Sequence, residues 1–309
     1  MNAFGIRNNH RYIYRISALL LLLFLSLNGC NSDAKKATGP PSELSSITVE
    51  NYPRMDGSTA TIPLGEALAA HVLSLSSEAA SEYAAFSGTT KSYEKLMREE
   101  ADLLIVYEPA ESTMYHKESA GIEWEMATIG KDALVFLVNA KNPVSSLSPQ
   151  QLQDIYAGEI TNWKDVGGQD LEIKAYQRNE TAGSQTMMLK LVMGSREIMK
   201  PPVMYVLSSM GSLLETLAFF NGTGEAIGYS VYYYAYNMNP NDGLRFLAVN
   251  DVMPNNETIR EGQYPFVNDF YAVIRKDEPE DSPARQLYNF LISDHGQALV
   301  SQEGYVSVR

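Results

Sequence analysis

The stretch Tyr176-Gln177-Arg178-Asn179-Glu180-Thr181-Ala182-Gly183-Ser184-Gln185 joins a short apolar strand pattern, residues 173–176, to a helical one. Met188, Leu191 and Val192 supply the apolar face of that helix at helical spacing. Strand, polar loop and helix in close succession form the repeating unit of an α/β fold. The loop also concentrates chemistry, with an arginine, a carboxylate and small residues just ahead of the helix. A fixed guanidinium beside the free N–H groups of a helix start suits a tetrahedral oxyanion. A capped helix with a surface arginine fits the same residues and stands as the alternative at this point.

The α/β pattern extends in both directions. Residues 103–107, 133–138, 226–229, 244–249 and 270–274 also read as strands. Ser148-Pro149 opens a helix with face residues Leu152, Ile155 and Tyr156, and Gly158 ends it. Two further helices are expected over 282–291 and 294–302. The tyrosine-rich segment 229–236 reads as packing rather than as a ligand box. No repeat of 20–50 residues is visible.

The first residues read as an address. Arg7, Arg11 and Arg15 precede an apolar run over 18–27 and then Leu27-Asn28-Gly29-Cys30. A run of about 10 residues is shorter than the roughly 20 that span a bilayer, so residues 1–29 are expected to be an export signal. Leu-Asn-Gly-Cys resembles a bacterial lipobox, which implies lipidation of Cys30, a palmitate-type anchor, and a place on the extracytoplasmic face of the cell membrane. Cys30 is the single cysteine, so an intrachain disulfide is excluded. Residues 30–45, rich in Ser, Pro, Lys and Gly, read as a flexible tether. Without the three signal arginines the chain has 21 basic against 37 acidic side chains. Such a surface argues against nucleic acid or anionic lipid as a partner. It does not argue against an anion in a buried site, where local dipoles and charges decide.

Three helix starts share one character. Asp56-Gly57-Ser58-Thr59, Ser87-Gly88-Thr89-Thr90 and Gly183-Ser184-Gln185 each offer hydroxyls and unpaired N–H groups at the positive end of a helix. With these, Asn142-Pro143-Val144, the run from Asp154 through Gly158-Glu159-Ile160-Thr161-Asn162-Trp163, Arg178-Asn179-Glu180, Ala226-Ile227-Gly228-Tyr229 and Gly304-Tyr305-Val306 complete a set. The set resembles the phosphate-binding proteins of bacterial phosphate ABC importers, substrate-binding lipoproteins of the type II periplasmic binding-protein family. The Gly-x-Ile-Thr-Asn-Trp run itself reads as a structural turn.

The resemblance implies a two-lobe α/β fold, each lobe a mixed sheet flanked by helices, with hinge strands between. Lobe one is expected over 46–137 plus 230–309, and lobe two over 138–229. It implies one inorganic phosphate held between the lobes and delivered to the membrane subunits of an ABC permease by a monomeric receptor. Ser58, Thr59 and Ser87 are expected to donate from lobe one, and Gly183 and Ser184 from lobe two. Arg178 would supply the guanidinium and Glu180 would orient it. Ala182 stands where the family usually has a serine, removing one hydroxyl. The family's acceptor carboxylate, an aspartate that takes the ligand's own proton, lies at the end of the strand matching 102–107, and Glu108 is the candidate here. Such an acceptor tolerates an anion bearing an O–H and repels one that has none.

Other chemistry finds no support in the sequence. Ser92-Tyr93-Glu94-Lys95 fits a Ser-x-x-Lys pattern, but its companion motifs are missing and a place on the solvent side of an amphipathic helix accounts for Ser92. The four histidines have no metal-ligand spacing, and no P-loop or nucleophile elbow occurs, so no metal, cofactor or catalytic residue is expected. The chain reads as a binding protein rather than an enzyme. The same fold would also serve another oxyanion or a signalling sensor. An envelope phosphohydrolase would need a metal or nucleophile cluster.

Overall fold

The computed structural model describes residues 44–219 and 224–309. The expected signal peptide, Cys30 and most of the tether lie outside the described residues. Among the described residues no helix is long and apolar enough to cross a membrane.

Eleven strands are described: β1 (Met55–Gly57), β2 (Leu103–Tyr107), β3 (Trp124–Asn139), β4 (Ser146–Leu147), β5 (Lys174–Ala175), β6 (Gln177–Arg178), β7 (Val206–Leu207), β8 (Ala226–Val231), β9 (Leu244–Phe246), β10 (Ala248–Val249) and β11 (Val267–Arg275). The helices are α1 (Ile62–Leu73), α2 (Ser77–Ala80), α3 (Thr89–Met97), α4 (Glu111–Ser119), α5 (Pro149–Ala157), α6 (Gly183–Met187), α7 (Met210–Phe219), α8 (Asn256–Arg260), α9 (Pro283–Ile292) and α10 (Asp294–Gln302). The main sheet runs β1-β2-β11-β3-β8-β5, with β9 also paired to β3. The β1–β2 and β5–β8 pairs are parallel, whereas β11 pairs antiparallel with β2 and β3, and β3 with β8 and β9. Two short parallel ladders, β4–β10 and β6–β7, stand beside it. The fold is therefore mixed α/β.

β2 shows why the sheet is covered on both faces. All five of its residues are buried. Leu103, Ile105 and Tyr107 enter the main core, while Leu104 and Val106 enter a smaller core with Tyr93 and Leu96 of α3. Alternate side chains leave a strand on opposite faces, so a doubly covered strand reads as a continuous apolar run. β3 is longer than its sequence suggests. Only 133–138 is apolar throughout. Residues 124–128 are half-buried, and Lys131 stands among the ladder pairs with β11.

α5 starts and stops where expected. Ser148 and Gln151 form a capping box, and Gly158 closes the helix at φ 80°. The run that follows is structural. Trp163 is buried and its Nε1 donates to the Glu225 carbonyl at 2.9 Å. Most of the tyrosine segment packs as expected, with Tyr229, Tyr232, Tyr233 and Tyr234 buried, whereas Tyr236 at its end is exposed. Ser92 is a correction. It is fully buried in α3 and its hydroxyl donates to the Thr89 carbonyl at 2.8 Å, so it is no surface residue.

Candidate anion-binding site

A cavity of about 200 Å3 opens where β1, β2, β6 and β8 end. Strand ends are where open α/β sheets bind ligands. The volume is below the roughly 300–1,000 Å3 of pockets for drug-sized ligands, so a small ligand suits it. The wall brings together Ser58, Thr59, Ser87, Arg178, Gly183 and Ser184. All six are expected from the sequence, five as donors and Arg178 as the guanidinium; the donor role of Ser87 is corrected below. The start of α3 adds Thr89, Thr90 and Lys91, and the wall near Arg178 adds Asn179, Thr181 and Ser208. Glu108 and Glu180 are not on the wall.

Arg178 is the charged centre of this wall. It closes β6, is only 9% exposed, and is fixed through every guanidinium nitrogen. Its Nε donates to the Leu207 carbonyl at 3.0 Å, Nη2 to the Ser208 carbonyl at 3.1 Å and Nη1 to Ser184 Oγ at 3.5 Å. Its backbone N–H donates to Gln185 Oε1 and the Tyr229 hydroxyl, both at 3.1 Å. Burial lowers its pKa from the ordinary value. Among the described residues no carboxylate pairs with it. A buried cation without a counter-charge is destabilising, and an anion in the cavity removes that cost. The role expected of Glu180 is thus corrected. Glu180 is exposed, and the carbonyls of Leu207 and Ser208 orient the guanidinium instead.

The hydroxyl wall is held in place by hydrogen bonds behind it. Ser58 Oγ accepts from the Tyr107 N–H at 3.1 Å and lies 2.8 Å from Thr89 Oγ1. That pair carries two protons and uses one between its oxygens, so one remains to donate into the cavity. Thr90 Oγ1 donates to the Thr181 carbonyl at 2.9 Å, tying the start of α3 to the loop after Arg178. Gly183 lets α6 approach α3. A Cβ there would lie 2.4 Å from Thr89 Oγ1. α6 continues through Met193 as a π-helical turn that buries Met188, Val192 and Met193. The N–H groups opening both helices lie on the wall and lack intrahelical partners.

Ser87 departs from the donor role expected of it. Its N–H donates to Asp56 Oδ1 at 2.6 Å and its hydroxyl to Asp56 Oδ2 at 2.7 Å. Gly57 N–H also donates to Oδ1 at 2.7 Å and Lys95 Nζ to Oδ2 at 2.6 Å. Both Ser87 donors are engaged, so none is left for a ligand. Glu108 departs as well. Its carboxylate takes two bonds from Lys190 Nζ, at 2.5 and 2.6 Å, outside the cavity. The residue before it, Tyr107, reaches the wall, but its hydroxyl turns inward to Asp132 Oδ2 at 2.6 Å. No acidic residue lines the cavity among the described residues.

Fold and site together define an α/β binding protein with a small polar cavity at its strand ends. The chain belongs to the PBP superfamily, whose domain matches residues 48–295. It is 28% identical over 183 residues to the phosphate-binding protein PstS of Borreliella burgdorferi, covering 58% of this chain and 64% of that protein. The chain thus spans a little under two thirds of that relative. It is 26% identical over 231 residues to PstS of Staphylococcus haemolyticus, covering 72% and 70%. Its fold resembles a phosphate-bound putative phosphate ABC transporter substrate-binding protein from Clostridium perfringens, with TM-score 0.67, 22% identity and coverage of 84% and 100%. An ABC-type phosphate transport receptor from Vibrio cholerae aligns with TM-score 0.61, 23% identity and coverage of 84% and 99%.

Proposed function

We propose that this chain is an extracytoplasmic solute-binding lipoprotein that captures one inorganic phosphate and delivers it to an ABC permease. The observation that carries the reading is Arg178, a buried guanidinium without a carboxylate partner that faces a small cavity of hydroxyls and helix starts. The relatives named as phosphate-binding proteins support the choice of phosphate. Ser58, Thr59, Gly183 and Ser184 donate to the anion and Arg178 neutralises it. Cys30 carries the lipid anchor. The protein acts as a monomer, without cofactor or catalysis.

Two lobes, 46–137 plus 230–309 and 138–229, close on the ligand by a hinge. The strand pairing supports this division. Both chain crossings fall on adjacent strands, where Leu137 and Val138 of β3 lie opposite Gly228 and Ile227 of β8. Calorimetry on protein stripped of phosphate tests the reading. One phosphate per chain is expected, and Arg178→Ala is expected to lower affinity by at least about a hundredfold, as for a buried charged partner worth roughly 3 kcal/mol or more. Absence of heat with phosphate would sink the proposal.

A further inference from the structure

We infer that Lys91 is a second cation of the anion site, the one that draws phosphate toward a chain whose net charge repels it. The assignment rests on the phosphate reading above and adds a residue to it. Lys91 lines the cavity, is exposed to solvent, and stands in the first turn of α3. A cation there faces the positive end of the helix dipole, which disfavours it. The lysines nearby have their charge answered. Lys95 pairs with Asp56 at 2.6 Å and Lys190 with Glu108 at 2.5 Å. Among the described residues Lys91 has neither a carboxylate partner nor a side-chain hydrogen bond. No contact within the fold offsets a cation in that place, whereas an anion in the cavity does.

The charge of the whole chain makes this cation matter. With 37 acidic against 24 basic side chains, the protein repels a phosphate that approaches it. Arg178 is only 9% exposed and acts on an anion already inside the cavity. Lys91, on the wall and in solvent, acts on one still outside. Both bear on one cavity, because its neighbour Thr90 donates to the Thr181 carbonyl at 2.9 Å and holds the start of α3 against the loop after Arg178. Salt tells the two apart. An exposed charge acts through water over a screening length of about 30 Å at 0.01 M salt and about 8 Å at 0.15 M, whereas a buried charge is screened much less.

The test is calorimetric titration of phosphate into the full chain at about 10 mM and about 300 mM sodium chloride. The proteins are wild type, Lys91→Gln, Lys91→Arg and Lys141→Gln. Lys141 is exposed and off the cavity wall, so its loss changes the net charge equally. Lys91→Gln should weaken phosphate binding roughly fivefold at low salt and less than about twofold at high salt. Lys91→Arg keeps the charge, and it and Lys141→Gln should stay within about twofold of wild type at both. Unchanged affinity in Lys91→Gln overturns the role of Lys91. So does an equal loss in Lys141→Gln, which would trace the effect to net charge. A loss that salt does not diminish, or that arginine does not restore, overturns it as well. A wild type that gives no heat with phosphate at either salt overturns the phosphate reading itself, and does so before any variant is measured.

Discussion

Asp132 carries a charge that the fold makes expensive. It is 2% exposed, and burial raises its pKa from 3.8 to about 6 despite bonds from the Tyr107 hydroxyl and the Ala133 and Tyr233 N–H groups. A folded pKa above the unfolded one means the native state holds the proton more tightly. The stability this contributes is complete below about pH 4 and is lost as pH rises through 6. Asp154, held down by Arg196, and Asp170, held down by Lys164, act in the opposite sense, but their window lies below the ordinary carboxylate value. Burial lowers the pKa of His71, which opposes this trend below about pH 6.5, so the Asp132 contribution is read as the extra rise in melting temperature of wild type as pH drops from 7.5 to 5. In Asp132→Asn, whose amide oxygen still accepts the two N–H groups, that rise should shrink. An identical slope in wild type and variant would refute this account. Side-chain partners of this kind were the least legible part of the sequence. Asp56 binds Ser87 across 31 positions, and nothing local signals that the serine proton is already engaged.

At the scale of elements, the cavity depends on how closely two helix starts approach. Gly183 opens α6 against Thr89 of α3, and a Cβ there would sit 2.4 Å from Thr89 Oγ1. Thr89 cannot retreat freely, because its hydroxyl is paired with Ser58 at 2.8 Å. Gly183→Ala must therefore push the two walls apart. Overpacking of this sort costs about 1–3 kcal/mol, so phosphate affinity should fall roughly 5- to 100-fold in a filter-binding assay, with the far-ultraviolet spectrum unchanged. Unaltered affinity would show that the close approach has no role in binding. Which elements were legible follows from their patterns. β2, α5 and α10 carry continuous apolar runs or clear caps, and the sequence places them within a residue. α4 buries only Thr113 and has no apolar stripe to read. β1 is three residues long, and a Cβ on Gly57 would lie 2.0 Å from the Ile105 carbonyl, so its glycine reflects strand proximity rather than a turn. The helix starts on the wall were legible because caps are local; the choice between donor and acceptor was not, because it is tertiary.

For the whole molecule, the site couples ligand to stability. Arg178 is buried without a counter-charge among the described residues, and Thr90 and Thr181 already join the wall from opposite sides. An anion that binds only this folded arrangement stabilises it by mass action, by about 2.7 kcal/mol at a hundred times Kd. For domains of about 150–250 residues each kcal/mol shifts the melting point by about 2–4 °C, so saturating phosphate should raise that of this somewhat larger chain by roughly 5–10 °C. The same titration on Arg178→Ala separates the site from general salt effects. Removing the buried cation relieves its desolvation but leaves the Leu207 and Ser208 carbonyls without their donor, so the readout is the ligand-dependent shift, and phosphate should leave the variant unmoved. Differential scanning fluorimetry with chloride at matched ionic strength reads both. A phosphate-dependent rise of equal size in wild type and Arg178→Ala would place the stabilising anion elsewhere on the protein and separate the cavity from its proposed ligand.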